Sequence, residues 1–299
     1  LWPLLGLGDS WGRLLSTLCS ALTAVYLMLF LERRSMPRRE AGAAAILFSF
    51  IPLEIYFGRT VQPEALALLS TTAALFHWDR SLDKDRPWGH WAAAALWAFL
   101  AISHKLPYAY ILLPLAALAW LRLGGAALKD PRVYLAPLLT VAAVWAWYRW
   151  ASGSGVYVVP SKSGEFWGMM EYEKLPRFIK FQFLSRLPEL GLTYPGALLF
   201  IVGARALWKR GERFFFIWWA SIAVSLIAYG GYAYHHEYTS LPLAPVNAAI
   251  MAAGLWALLK DARGGRKLAV WLLAASIPFF GGYRVKHWYA QNFPFLAGA

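Results

Sequence analysis

The chain has 299 residues, of which 59% are hydrophobic and only 15% are charged, and its mean hydropathy is +0.45. Soluble globular domains carry about a quarter charged residues, so this composition excludes a soluble enzyme, a disordered segment and a disulfide-stapled secreted domain. The single cysteine, Cys19, can form neither an internal disulfide bond nor a cysteine-based metal site. The net charge is +13, and the basic residues are interleaved with long apolar runs. This pattern favours basic loops beside a membrane over a nucleic-acid partner.

Ten apolar segments follow one another along the chain. They cover residues 12–31, 41–57, 62–78, 91–104, 107–121, 133–150, 191–207, 214–230, 240–259 and 268–283. Short breaks at 58–63 and 104–107 indicate tight corners, and Pro63 suits a first helical turn. Because a membrane-spanning helix needs about 20 apolar residues, the pattern predicts an all-α, polytopic membrane bundle of about ten transmembrane helices.

Positive charge alternates between successive connections. The loops 32–40, 79–90, 122–132, 205–213 and 260–267 hold 18 of the 29 Lys and Arg residues. Cytoplasmic loops attract such an excess, so residue 1 is predicted to lie outside the cytoplasm. A chain that begins outside with Leu1 and has no signal peptide is expected to lack an upstream helix. We therefore predict one truncated transmembrane domain over 1–299, with a periplasmic loop at 151–190.

Ionisable residues are expected to gather at the outer rim of this bundle. They are Glu54, Arg59, Glu64, Lys105, His235, His236 and Glu237. None is predicted near the bilayer midplane, which argues against a proton relay or an ion path. The outer segments also carry aromatic residues, namely Tyr157, Trp167, Tyr172, Tyr194, Tyr232, Tyr234 and Tyr238.

These residue types suit a substrate whose phosphate lies at the headgroup layer. Arg and Lys bind phosphate, carboxylates deprotonate a hydroxyl or hold a metal, and aromatic faces pack against sugars. Polyprenyl-phosphate sugars have these properties. A divalent metal is an open alternative for which the sequence names no ligand set.

Each residue also has a purely structural interpretation. Arg59 could pair with Glu64 to fasten the corner, Glu54 could be a partner of Arg59, and Lys105 could extend to the interface. Neighbouring side chains such as His235 and His236 point in different directions, which favours a polar loop over a metal site. The segment 178–187 could lie along the membrane surface.

Four stretches resemble a known family of membrane enzymes. They are Gly8-Asp-Ser-Trp-Gly-Arg-Leu-Leu-Ser16; Pro52-Leu-Glu-Ile-Tyr-Phe-Gly-Arg59-Thr-Val-Gln-Pro-Glu64; His104-Lys105-Leu-Pro107 with Pro114; and His236-Glu-Tyr238-Thr-Ser-Leu-Pro242-Leu-Ala-Pro245. Together they are similar to the GT-C glycosyltransferases of the dolichyl-phosphate-mannose-protein mannosyltransferase type (glycosyltransferase family 39-like), including the bacterial aminoarabinose transferases.

The resemblance implies an inverting glycosyltransferase that moves a sugar from a polyprenyl-phosphate donor to a protein, lipid or glycan acceptor. It implies a multi-pass protein of the bacterial inner membrane with its site facing the periplasm. Glu64 would match an acid that assists catalysis, Arg59 and Lys105 would face the lipid phosphate, and His236 and Tyr238 would line the cavity near the donor. The family's main catalytic acid lies in a first outer loop that this sequence lacks, so the chain alone is expected to be inactive.

In the mechanism that we hypothesise, the polar segment 151–190, which carries Glu165, Glu171 and Glu173, covers the acceptor side as a mobile lid. Two alternatives from other classes remain. A lipid-linked saccharide flippase or other transporter would need polar residues inside several helices and usually an internal repeat. A non-enzymatic membrane scaffold would not bring Arg59, Glu64, Lys105 and His236 to one cavity.

Overall fold

A computed structural model describes residues 9–34, 36–85, 87–154 and 174–292 of the chain, and these ranges are almost entirely helical with no β-strand. The α-helices among them are α1 (Asp9–Arg33), α2 (Arg38–Ser49), α3 (Pro52–Phe57), α4 (Glu64–Ser81), α5 (Trp88–His104), α6 (Leu112–Leu123), α7 (Pro131–Gly153), α8 (Leu175–Ile179), α9 (Tyr194–Lys209), α10 (Phe214–Ala228), α11 (Gly230–His235), α12 (Leu243–Lys260) and α13 (Gly265–Asn292). Three 3₁₀-helices (Leu106–Ile111, Gly124–Lys129 and Glu237–Ser240) and one π-helix (Lys180–Gly191) complete the described secondary structure.

The predicted all-α membrane bundle is confirmed, because each of the ten apolar segments is helical in the structure. Within the described residues, four helical stretches are long and apolar enough to cross a membrane: Asp9–Arg33, Leu106–Lys129, Leu243–Lys260 and Gly265–His287. The helices Leu175–Gly191 and Tyr194–Lys209 pass the same test as one span bent by 107°. The number of about ten spans stays a prediction.

Both predicted corners are present. Residues 58–63 form a turn between α3 and α4, and Pro63 is the residue immediately before α4. At the second corner Lys105 has extended backbone (φ −151°, ψ 120°) between α5 and the 3₁₀-helix Leu106–Ile111. Since α4 and α5 pack side by side in opposite directions, these two corners lie at the same end of the bundle, which we call the site end.

The core of the bundle is α12, in which fourteen of eighteen residues are buried. Its closest neighbour is α9, and glycines allow the two backbones to meet. A Cβ atom on Gly254 would lie 1.9 Å from the carbonyl oxygen of Leu199, and one on Gly203 would lie 1.7 Å from the carbonyl oxygen of Ile250. Small residues permit this close approach between membrane helices.

Large apolar side chains cover the outside of the bundle. Examples on α7 and α13 are exposed by more than 60%, namely Leu138, Trp145, Trp150, Leu272 and Phe279. Contiguous apolar surface of this kind is unfavourable in water. The surface therefore agrees with the lipid-facing side of an integral membrane protein.

A second group of charges lies at the opposite end of the bundle, where α1 and α4 end. Asp79 is fully buried and accepts a hydrogen bond from Arg33 Nε at 2.7 Å and weaker ones from Arg122 at 3.4 Å. Asp83 accepts from the same two arginines at 2.8 and 2.5 Å. Buried charge therefore occurs at both ends of the bundle. At this end the acids of the basic loops neutralise the arginines and hold the ends of α1, α4 and α6 together.

The glycine contact between α9 and α12 gives a direct test of the packing. Gly254→Ala places a methyl group against the backbone of α9, and we expect a loss of about 2 kcal/mol or more of stability, at the upper part of the usual overpacking cost. The measurement is the thermal unfolding midpoint in detergent. The matched control is Gly42→Ala in α2, where a Cβ atom meets nothing within 4 Å and the midpoint should stay level or rise. Equal midpoints for the two variants would contradict the packing.

Candidate active site

The two corners at the site end bring a carboxylate and an ammonium group together. Glu64 is the first residue of α4, is only 1% exposed, and accepts a hydrogen bond and ion pair from Lys105 Nζ through its Oε1 atom. The extended backbone at Lys105 interrupts the helices and turns this side chain back toward α4. The two residues are 41 positions apart in the chain, so the antiparallel packing of α4 and α5 creates the pair.

The second carboxylate oxygen of Glu64, Oε2, is buried and has no hydrogen-bond partner among the described residues. The Tyr108 hydroxyl is also buried and also has no hydrogen-bond partner among the described residues. Both residues line a small cavity together with Lys105, Tyr229 and Tyr238. Unsatisfied buried polar atoms are costly and uncommon, so a cavity with two of them is a place where a polar ligand gains hydrogen bonds.

The loop after α11 closes this cavity with aromatic rings. Lys105 Nζ lies 4.2 Å from the centre of the Tyr238 ring, a cation–π contact. The Tyr238 hydroxyl is hydrogen-bonded to the Tyr232 hydroxyl, and the His236 ring stacks on Tyr238 with centroids 5.1 Å apart. Burial raises the pKa of Tyr238, so this hydroxyl stays protonated and can donate a hydrogen bond.

A buried arginine and a buried glutamine hold α11 and the loop that follows it in place. Arg186 of the π-helix donates to the carbonyl oxygens of Ala233 at 2.7 Å and Tyr234 at 2.9 Å, and Gln182 donates to Ser240 at 2.5 Å. Arg186 and Gln182 are 4% and 0% exposed. That 178–187 could lie along the membrane surface stays a prediction: Arg186 and Gln182 face the protein interior, whereas Ile179 and Leu184 of the same segment are exposed.

Arg59 and Glu54 lie differently from their predicted arrangement. Arg59 is exposed on the turn between α3 and α4 and does not line the cavity of Glu64 and Lys105. Glu54 is buried in α3, and neither of its carboxylate oxygens accepts a hydrogen bond from a described residue. The suggested pairs of Arg59 with Glu64 and with Glu54 are thus not formed by hydrogen bonds, since Glu64 pairs with Lys105 instead.

Several predicted site features fall elsewhere. Tyr157, Trp167, Tyr172 and the acids Glu165, Glu171 and Glu173 of the predicted lid lie outside the described residues. Tyr194 is 62% exposed, away from the cavity. In the described part of the chain no three His, Cys, Asp or Glu side chains are close enough to hold a metal ion.

Two cavity residues, Tyr108 and Tyr229, had not been singled out in the sequence. Tyr108 follows Lys105 by three positions on a 3₁₀-helix, whose period of three places it near the same face. That spacing was a usable signal. Tyr229 directly follows α10, and its place at the cavity depends on helix packing, for which the sequence offers no local sign.

Taken together, the fold and this cavity define a class: an integral membrane protein of helices, with a buried carboxylate–lysine pair under aromatic rings at one end. Residues 3–150, just under half of the chain, match the family model described as dolichyl-phosphate-mannose-protein mannosyltransferase. No curated protein and no solved structure matches the chain.

The match confirms the resemblance carried by the sequence motifs. Residues 3–150 are similar to this family, which supports a membrane glycosyltransferase of GT-C type. The matched part contains Arg59, Glu64 and Lys105, whereas His236 and Tyr238 lie beyond it. The cavity is therefore lined both by residues of the matched part, Glu64 and Lys105, and by a residue outside it, Tyr238.

The stacked histidine predicts a pH dependence of stability. Burial, and next the positive charge of Lys105, lower the pKa of His236 below its ordinary value of 6.5. The folded state then binds this proton less tightly than the unfolded state, so stability is complete above about pH 6.5 and falls as the pH is lowered through and below it. We expect the unfolding midpoint of His236→Gln to fall less between pH 7 and pH 5 than that of the parent protein.

The control for this measurement is His235→Gln, which removes an exposed imidazole one position away. It should change the pH dependence less than His236→Gln does. The same dependence in the parent and in His236→Gln would mean that His236 takes up its proton equally well in both states.

Proposed function

We propose that this glycosyltransferase takes its sugar from a polyprenyl-phosphate donor and transfers it, with inversion, to an acceptor at the outer face of the membrane. One observation carries the proposal: a buried carboxylate has one oxygen held by Lys105 and the other without a partner, inside an aromatic-lined cavity at an end of a membrane bundle. This arrangement supports a proton acceptor and a phosphate-binding cation in one site.

Lys105 is suited to the leaving polyprenyl phosphate. Its ammonium group is a point charge that binds phosphate, and its side chain is 25% exposed while that of Glu64 is 2% exposed. The cation therefore lies on the open side of the pair. Negative charge grows on the phosphate as the bond to the sugar breaks, and a fixed cation at that place stabilises the transition state.

Glu64 is suited to accept a proton from the acceptor. Its Oε2 atom is buried without a partner, so an acceptor hydroxyl or amine can donate to it while Oε1 stays bound to Lys105. The nearby Tyr238 and Tyr232 offer ring faces on which a sugar can pack, and their hydroxyl groups can bind sugar oxygens. His236 orients Tyr238 through the stack.

Arg59 has a different place in this proposal. It is exposed on the corner just before Glu64, where it can meet the phosphate of a donor that approaches along the membrane surface. The site end would face the periplasm of a bacterial inner membrane, since the basic loops 32–40, 79–90, 122–132, 205–213 and 260–267 all lie at the opposite end. Loops with this excess of Lys and Arg stay on the cytoplasmic side.

The role of Glu64 is tested by Glu64→Gln in the complete gene product. Gln keeps the size and the hydrogen bond to Lys105 but cannot take up a proton, so we expect turnover to fall by about 100-fold or more, as for loss of a general base. The measurement is transfer from a radiolabelled polyprenyl-phosphate sugar, with mannose tried first. The matched control is Glu237→Gln, a carboxylate at the same end outside this cavity, which should keep parental turnover. Parental turnover by Glu64→Gln would remove Glu64 from the mechanism.

The role of Lys105 is tested by a pair of substitutions. Lys105→Met removes the cation, and loss of a charge-assisted hydrogen bond to the donor phosphate should raise the KM for the donor by about tenfold or more. Lys105→Arg keeps the charge and should recover part of that loss. A donor KM that both variants leave at the parental value would place the phosphate elsewhere and favour a flippase or scaffold role for the bundle.

A further inference from the structure

A large open cavity lies at the end of the bundle opposite Glu64 and Lys105. It is much larger than the cavity at the site end. Its walls come from the start of α2, the end of α9, the end of α12 and the first turns of α13. Neither the proposed transferase mechanism nor the family motifs involve it.

The walls of this cavity are strongly basic. Four cations line it, Arg39, Arg210, Lys260 and Lys267, against one carboxylate, Glu40. Glu40 is nearly fully buried and already pairs with Arg210 at 2.8 Å, which fastens α2 to the end of α9. The side chains of Arg39, Lys260 and Lys267 form no ion pair with any described residue, so three positive charges face the cavity uncompensated.

Two tryptophans give the cavity an amphipathic character. Trp256 and Trp271 both line it, and the indole Nε1 of Trp256 is buried without an acceptor in the described ranges. Indole rings are enriched where membrane meets water. An oxygen-rich headgroup in the cavity would supply the acceptor that Trp256 lacks.

An apolar surface leads away from the cavity along α13. Leu268 and Leu272 are each 61% exposed and Trp271 is 46% exposed, on a helix apolar and long enough to cross the membrane. A small soluble anion would use the cations but not this surface. A ligand with a phosphate and acyl chains would use both.

We propose that this cavity binds the phosphate headgroup of an anionic phospholipid from the membrane leaflet at that end, with its acyl chains along α13. Basic pockets between transmembrane helices recognise such headgroups by charge. The lipid would bridge α2, α12 and α13, three helices whose ends otherwise repel one another through Arg39, Lys260 and Lys267. Bound lipid should therefore stabilise the bundle.

The test uses the purified full chain in detergent and adds phosphatidylglycerol, phosphatidylcholine or glycerol 3-phosphate. The unfolding midpoint should rise with phosphatidylglycerol only, and native mass spectrometry should show the retained lipid. The variant Arg39→Gln/Lys260→Gln/Lys267→Gln should weaken retention by about 100-fold, from roughly fivefold for each basic residue. The control Lys209→Gln/Arg263→Gln/Arg266→Gln removes three charges at the same end outside the cavity and should retain lipid as the parent does.

Unfolding midpoints measured in phosphatidylcholine show whether each variant is folded. Lys267→Glu alone, at an exposed position, should weaken the retention of phosphatidylglycerol less than the triple variant does. Equal retention in the cavity variant and the control would overturn the proposal in favour of diffuse surface charge. Full stabilisation by glycerol 3-phosphate would overturn it in favour of a free-phosphate site. Sugar transfer is not measured, so these outcomes are independent of the proposed function.

Discussion

The ion pair between Glu64 and Lys105 is the constraint on which the candidate site depends. Removing a carboxylate from water is costly unless a partner compensates it, and Glu64 at 1% exposure has Lys105 as that partner. The pair fixes the first residue of α4 against the break after α5. Through the ring of Tyr238 it also fixes the loop after α11. Three segments distant in the chain therefore share one electrostatic anchor.

The fold was largely predictable from the sequence, and the site only in part. Long apolar segments and two proline-marked corners gave the helices and the junctions at 58–63 and at Lys105, because these features are local. The partner of Glu64 was not predictable in this way. Arg59 is five positions away and lies near it in sequence, whereas Lys105 reaches it only through the packing of α4 on α5. The burial of Arg186 has the same origin, since its acceptors are backbone carbonyls of another segment.

The buried carboxylates at the two ends of the bundle differ in how completely they are hydrogen-bonded. At the opposite end Asp79 and Asp83 are saturated by arginines, which makes a closed network suited to fastening helices. At the site end Glu64 keeps an oxygen without a partner. A saturated network has nothing left to offer a ligand, whereas an incomplete one does. What distinguishes the structural network from the candidate site is therefore a polar atom without a hydrogen-bond partner, more than the number of charges.

The brace formed by Arg186 has a mechanical consequence. Its guanidinium group donates to two carbonyl oxygens of α11, those of Ala233 and Tyr234, which lie five and four positions before Tyr238. Its own π-helix packs beside α3 and the bend into α9. A π-helix is wider than an α-helix and is rarely long, so the position of this arginine depends on those wide turns. The backbone that carries the aromatic wall beside Lys105 is therefore held by a segment of uncommon geometry.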